Sequence, residues 1–499
     1  MVWCRNVASF GCAFSSKNSI ISSSVKSNFI TAAQSFQPGI PRRESTILRN
    51  SIGSSVNSFG RPVSDIENIY VISDLHTDKI ENLDWLKERC KNRRMQQTPG
   101  QNDALIIAGD ISHALSKIEE TFSIIKDELS CHVFFIWGNH EAWTGGQEMD
   151  SLGIESSLEK IVAVKELCKK MGVRTEFELV GNSYQNPVCI LPIESWYDGT
   201  LALEGCEDLC SKFSSWPWVD FIRCEWPDQD SLMQWCLSED NASFSILDKG
   251  VENTGRIPLG LTNWFALKNN KSISAAKEIY NDWIDAAKQV NGEVIEMRSA
   301  GQRLPGLITY SHFLPNKVTL PDWKDPHCEV FQRDEWLDHP VPEVSAKFAK
   351  VSGSVLIDEQ IRSILPSVSD TDDLLRSVQH LHIFGHSHRP KDFVYNGIRY
   401  VHNPLGKPAE RAMNMISNEV DFQLVWDCTK SLSKPVSDVP EYMSYSGGIG
   451  VGEVPGERVI RFWEEKGGGL KSLSRNMKHR RQRKKLAFKR LLRDKKESP

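Results

Sequence analysis

Ile69-Tyr70-Val71-Ile72-Ser73-Asp74-Leu75-His76 is a short apolar run that breaks directly into an acid and an imidazole. A run of this length reads as a strand buried on both faces, as strands of parallel sheets are. The same grammar recurs four times. Ala104–Ala108 precedes Gly109-Asp110, Val133–Trp137 precedes Gly138-Asn139-His140-Glu141, Leu307–Tyr310 precedes Ser311-His312, and Leu381–Phe384 precedes Gly385-His386-Ser387-His388. In open α/β sheets the ligand crevice lies at the carboxyl ends of the strands. Five strands therefore deliver Asp74, His76, Asp110, Asn139, His312, His386 and His388, with His140 to spare, to one rim. Oxygen and imidazole ligands of this kind suit borderline divalent or trivalent metals, and their number implies a two-metal hydrolytic centre.

The motif order DxH, GD, GNHE, a lone His and GHxH resembles the calcineurin-like metallophosphoesterase superfamily, over roughly Asn68 to Gly406. The resemblance implies an α/β fold, a four-layer αββα sandwich of two mixed sheets. It assigns Asp74, His76 and His388 to a first metal, Asn139, His312 and His386 to a second, and Asp110 to both as a bridge. His140 matches the histidine that binds no metal and sits beside the scissile phosphate. The implied cofactors are two divalent, or mixed divalent and trivalent, ions: Mn, Fe or Zn. The implied reaction is hydrolysis of a phosphate mono- or diester by a hydroxide bridging the two ions. His140, with an unperturbed pKa near ~6.5, suits a general acid for the leaving group. Glu141 reads as a local cap. His132, His382 and His402 hold no motif position and read as structural or supporting residues.

Departures from related branches narrow the resemblance. Ser73-Asp74-Leu75-His76-Thr77-Asp78 and Gly109-Asp110-Ile111-Ser112-His113 lack the GDxHG and GDxVDRG forms of the serine/threonine protein phosphatases. Purple acid phosphatases place a tyrosine three residues after the bridging Asp, where this chain has His113. The DNA-repair nuclease branch also carries a His there. His113 is therefore a candidate to orient His140 or to bind phosphate, with a capping or solvent-exposed role as the alternative. A metal-dependent nuclease is the second functional reading, and a non-catalytic scaffold of the same fold is the third. Every ligand position is filled, which argues against the scaffold.

The chain has 499 residues, 40% of them hydrophobic, which suffices for a large core. No run approaches the ~18 apolar residues of a membrane span. Twelve cysteines show no zinc-type pair, and the Cys206–Cys210 spacing is isolated. Charge is distributed very unevenly. Residues 1–60 carry +5, Lys471–Pro499 carries +11, and the whole chain carries −5, so the body between them carries −21. The amino-terminal 60 residues are serine-rich, basic and almost free of acids. They read as a transit peptide, for a plastid rather than a mitochondrion, or else as a disordered tail in a cytoplasmic or nuclear protein. The acidic body excludes a long nucleic-acid groove. The basic tail, with Arg480-Arg481-Gln482-Arg483-Lys484-Lys485, suits RNA, an anionic membrane surface or the protein's own acidic body. It also fits a nuclear localisation signal or a solvated extension.

These features divide the chain into residues 1–60, a phosphoesterase body over 61–435, and a Gly-rich linker with basic tail over 436–499. Within the body, 144–305 is too long for a connection and is expected to fold as an insert or cap. It offers helices over Glu155–Met171 and Ser274–Val290, a strand over Cys189–Ile193, and a cluster of Trp196, Trp216, Trp218, Trp226 and Trp235. These tryptophans pack a cap core or line a substrate pocket. A second insert spans 316–379, with a helix expected over Ser354–Leu365. Asn396-Gly397 marks a hairpin turn within Phe393–Val401, after which His402–Gly406 returns to the rim.

Overall fold

A computed structural model describes residues 65–92, 98–145, 147–181, 187–203, 218–227, 231, 261–289, 304–321, 348–365, 378–412, 416, 419–427 and 431–432. The chain separates into two units, 1–58 and 59–499, and every described residue belongs to the second. The expected transit peptide, Trp216, Trp235, the Gly-rich linker and the basic tail all lie outside the described residues.

The apolar runs are strands. The first sheet holds β1 (Asn68–Ile72), β2 (Asp103–Ala108) and β3 (His132–Ile136), all parallel, with β10 (Gln423–Asp427) antiparallel to β1 and β11 (Ser431–Leu432) antiparallel to β10. The second runs β4-β5-β6-β7-β9-β8, built from β4 (Glu178–Val180), β5 (Val188–Pro192), β6 (Gly306–Tyr310), β7 (His380–Ile383), β8 (Lys391–Tyr395) and β9 (Ile398–His402). Strands β5, β6, β7 and β9 are parallel, while β4 and β8 are antiparallel edges. Both sheets are therefore mixed. The hairpin turn sits at Asn396-Gly397, with φ of 47° and 79°, the left-handed pair that a type I′ turn requires.

Side chains alternate across each strand, and here both faces are apolar. Val71, Ile106 and Phe134 of the first sheet share one core with Ile190, Ile308 and Leu381 of the second. The opposite faces pack under helices. Ile72, Leu105 and Phe135 join Leu86 of α1 (Ile80–Lys91) and Ile118, Phe122 and Ile125 of α2 (Leu115–Leu129). This is the αββα order that the resemblance implied, and it makes each central strand continuously apolar.

After β3 come the short turn α3 (Asn139–Ala142) and the helix α4 (Ser157–Lys170). The latter starts at a capping box in which Ser156 and Glu159 satisfy each other's backbone N–H. The described parts of 144–305 contribute directly to the sandwich. Strands β4 and β5 lie in the second sheet, and α5 (Leu261–Gln289) packs against β5 as part of the outer layer. Helix α5 begins thirteen residues before the expected Ser274. Buried Asn269 interrupts its apolar stripe; it bonds both backbone groups of Glu194 and the side chain of Gln360. Trp196 and Trp226 are buried, and Trp196 touches Trp137, Phe313 and Trp226 as core. Helix α6 (Val355–Ser363) is capped by the Ser354 hydroxyl. All five described cysteines are buried and unpaired. No described helix is long and apolar enough to cross a membrane.

Candidate metal centre

The parallel strands of both sheets end at one edge, and hydrogen bonds tie those ends together. Asp74 N–H donates to Gly109, Gly385 N–H to His312, and the segment after β9 closes on the first motif through Leu405 N–H to Ser73 and Gly406 N–H to Asp74. Five of the residues named above have positive φ: Asp74 (52°), His76 (43°), Asp110 (55°), His386 (72°) and His388 (52°). Left-handed backbone at a non-glycine residue costs on the order of 1–3 kcal/mol and gathers at functional sites. The turns bend each chain back over the strand end so that its side chain faces the rim.

The seven expected ligands come together in two groups sharing one carboxylate. Asp74, His76, Asp110 and His388 present donor atoms within 4.8 Å of one another, and so do Asp110, His312 and His386. His76 Nε2 lies 2.9 Å from His388 Nε2, which is 3.4 Å from Asp74 Oδ1. On the other side, Asn139 Oδ1 lies 3.1 Å from His312 Nε2 and 3.0 Å from His386 Nδ1. Asp110 Oδ1 is 3.3 Å from His312 Nε2, while its Oδ2 is 3.7 Å from His140 Nε2. The close approach of the strand ends depends on glycine. A Cβ on Gly138 would stand 2.3 Å from Asp110 Oδ1, and one on Gly385 would stand 2.6 Å from the Ala108 carbonyl.

The outward atoms of most of these expected ligands have defined partners, which sets tautomers, while His76 Nδ1 is buried without one. A carbonyl or carboxylate only accepts, so the ring nitrogen facing it carries the proton. His312 Nδ1 donates to Ala108, His386 Nε2 to Val351, and His388 Nδ1 to Glu410, at 2.9, 3.0 and 2.8 Å. That leaves His312 Nε2 and His386 Nδ1 as lone pairs aimed inward, and turns His388 Nε2 toward His76 Nε2 and Asp74 Oδ1. Asp74 Oδ2 accepts from Ser73 and His402, and Asn139 Nδ2 donates to Asp220. Glu141 accepts four backbone N–H groups, from Gly138, Asp110, Ile111 and Ser112. It ties the second motif to the third and leaves the metal positions to others, as a local cap would.

Electrostatics also favour cations here. Burial, then the carboxylates of Glu141 and Asp74, push Asp110 well above the usual carboxylate range. A cation between these acids would relieve that repulsion. Burial holds His76 and His386 well below the usual imidazole range, and His312 at about 4, so these rings are neutral as ligands must be. His388 is the exception. Burial would lower it, but Glu410 and Asp74 raise it to about 9. Below that pH the ring holds a proton that a metal must displace. Metal uptake between pH 6 and 8 is therefore expected to release a proton. Apparent affinity at this position should fall about tenfold per pH unit of acidification. Calorimetric titration in buffers of differing ionisation enthalpy measures the proton directly; an affinity flat across this range would contradict the assignment.

His140 lies at the edge of the first group. Its ring stacks on Trp143 with centroids 3.6 Å apart, and the Arg223 guanidinium lies 4.8 Å from the Trp143 ring centre. His140 Nδ1 is buried without a hydrogen-bond partner. His113 is partly exposed, with Nδ1 4.0 Å from Asp78 Oδ2 and its ring 6.1 Å from Trp143. Neither its Nδ1 nor that of His140 has a hydrogen-bond partner, and both rings lie against Trp143. His132 contacts Arg174, and His382 contacts Thr309 and Ser311, as supports within the fold. Sequence reasoning missed Glu410, Asp220 and Trp143. Trp143 carried a signal, three residues past His140 on a helical turn. The other two carried none.

Residues 67–241 match the model of the calcineurin-like phosphoesterase family. No curated protein sequence matches the chain. Among solved structures, a phosphopantetheinyl hydrolase from Mycobacterium tuberculosis is similar at 17% identity and a TM-score of 0.40, covering 72% of this chain and 95% of its own. A protein of unknown function from Aquifex aeolicus is similar at 16% identity and a TM-score of 0.15, covering 25% and 59%.

Proposed function

We propose that the chain is a calcineurin-like phosphoesterase, a metal-dependent hydrolase of phosphate esters that works with two ions, a reading supported by the family match over residues 67–241. Asp74, His76 and His388 would hold one, Asn139, His312 and His386 the other, and Asp110 would serve both groups. The observation that carries this reading is the membership of Asp110 in both donor groups. Mixed imidazole, carboxylate and amide ligation suits Mn, Fe or Zn. Bound at these positions, such ions supply a nucleophile at neutral pH and neutralise the phosphoryl oxygens.

The chain's own residues do the rest. Asp110 holds the two ligand groups at one spacing. His140 is close to the first group without being needed as a ligand, and it delivers a proton to the departing alkoxide. Trp143 fixes the plane of the His140 ring by stacking. The substrate is a phosphate mono- or diester entering over this rim. Metal analysis of the purified chain, loaded with Mn, Fe or Zn, should return two ions per chain. A parallel screen over phosphomonoesters, phosphodiesters, nucleotides and nucleic acids should show hydrolysis only in the loaded protein. At most one ion per chain under every loading condition would refute the dinuclear reading.

A further inference from the structure

Asp220 is far from every motif in sequence yet stands directly behind the site. Its carboxylate is almost fully buried and collects four donors. Oδ1 accepts from Asn139 Nδ2 at 3.0 Å and Trp143 Nε1 at 2.6 Å; Oδ2 accepts from Trp218 Nε1 at 2.8 Å and the Tyr197 hydroxyl at 3.2 Å. Two of these partners belong to the site. Asn139 is the amide ligand of the second group, and Trp143 is the ring on which His140 stacks.

An asparagine is an ambiguous metal ligand, because its amide presents either an oxygen or an NH₂ group after a half-turn. Only the oxygen ligates a cation. Among the described residues, the partners of Asn139 Oδ1 are His312 and His386, both expected to ligate metal and hence to turn lone pairs inward. Without an ion, those lone pairs would favour the NH₂ on their side, so they do not hold the oxygen there. The acceptor-only carboxylate behind the amide demands the NH₂ on its own side. We propose that Asp220 is a positioning residue for the second metal, locking the Asn139 amide so that its oxygen faces the ion, and holding Trp143 with the same oxygen.

This inference rests on the two-ion reading, and it makes a prediction that ligand charge alone would reverse. Asn139→Asp supplies an anionic, symmetric ligand that should bind a cation more tightly. With Asp220 behind it, however, the new carboxylate faces another 3 Å away and loses its donor. Affinity for the second ion, measured by metal titration, should therefore fall about tenfold or more in Asn139→Asp, the range seen for disturbed outer partners. Asp220→Ala should produce a loss of similar size while the first ion is retained. The double variant Asn139→Asp with Asp220→Asn restores a donor behind a carboxylate and should recover affinity to within about threefold of the unaltered protein. Thermal melting of each metal-free variant reports folding. If Asp220→Ala does not fold, the single Asn139→Asp and the double variant decide the matter. Equal or tighter second-ion binding in Asn139→Asp, or no recovery in the double variant, overturns the proposal. If the unaltered protein takes up only one ion, the two-ion reading itself has failed; if it takes up two and the variants do not differ, only the role of Asp220 has.

Discussion

Asp110→Asn is expected to empty both metal positions together and to reduce turnover by about 10³-fold or more, while leaving the metal-free chain at least as stable. The activity loss follows from the stabilisation of several kcal/mol that two ions contribute to phosphoryl transfer. The stability prediction comes from the sign of a pKa shift. Burial, Glu141 and Asp74 raise the Asp110 carboxyl well above its ordinary value. A carboxyl raised on folding loses native stability as pH rises above its unfolded value, so at neutral pH it opposes folding. An amide removes that opposition. Metal analysis and melting of stripped protein check the two halves. One retained ion, or a metal-free variant that melts well below the unaltered chain, would show that Asp110 serves only one position or holds the fold.

His140→Ala should leave both ions in place and lower kcat by about 10²–10⁴ on alkyl esters. On nitrophenyl esters, whose leaving groups need no proton, the loss should shrink sharply. Burial and the neighbouring His76 hold the His140 ring well below its ordinary range, so it is neutral in the free protein at pH 7. An anionic phosphate beside it works in the opposite direction. Binding of an inert phosphate analogue to the loaded enzyme should accordingly take up a proton, and His140→Ala should abolish that uptake. Equal losses on alkyl and nitrophenyl esters would assign His140 to phosphate positioning instead.

The strands and the candidate ligands were legible because each carries a local signal: a run of four or five apolar residues, then Asp, Asn or His at a turn. The split between two sheets was not local. Nothing in Val133–Trp137 or Leu381–Phe384 says which sheet receives it; the family resemblance implied two sheets but not which strands each holds. The first half of α5 escaped because Asn269 is polar but buried, bonded to Glu194 and Gln360 far away in sequence. The same holds for the supporting carboxylates. Asp220 reaches Asn139 across 81 positions and Glu410 reaches His388 across 22, distances over which periodicity and turn chemistry carry no information. His402 was visible as a histidine near the rim, but its bond to Asp74 needed the return of the chain past β9.

The left-handed turns at Asp74, His76, Asp110, His386 and His388 also bear on which substitutions this rim tolerates. Asp, Asn and His are the non-glycine residues that enter that region of backbone space most readily, and they are also the residues that bind these metals. Glutamate and cysteine, good ligands elsewhere, fit the coordination but not the turn. Glycine fits the turn but binds nothing. Two unrelated filters therefore admit nearly the same three letters at five positions. Random change at the rim is screened twice, once by the backbone before any ion arrives and once by the ion itself.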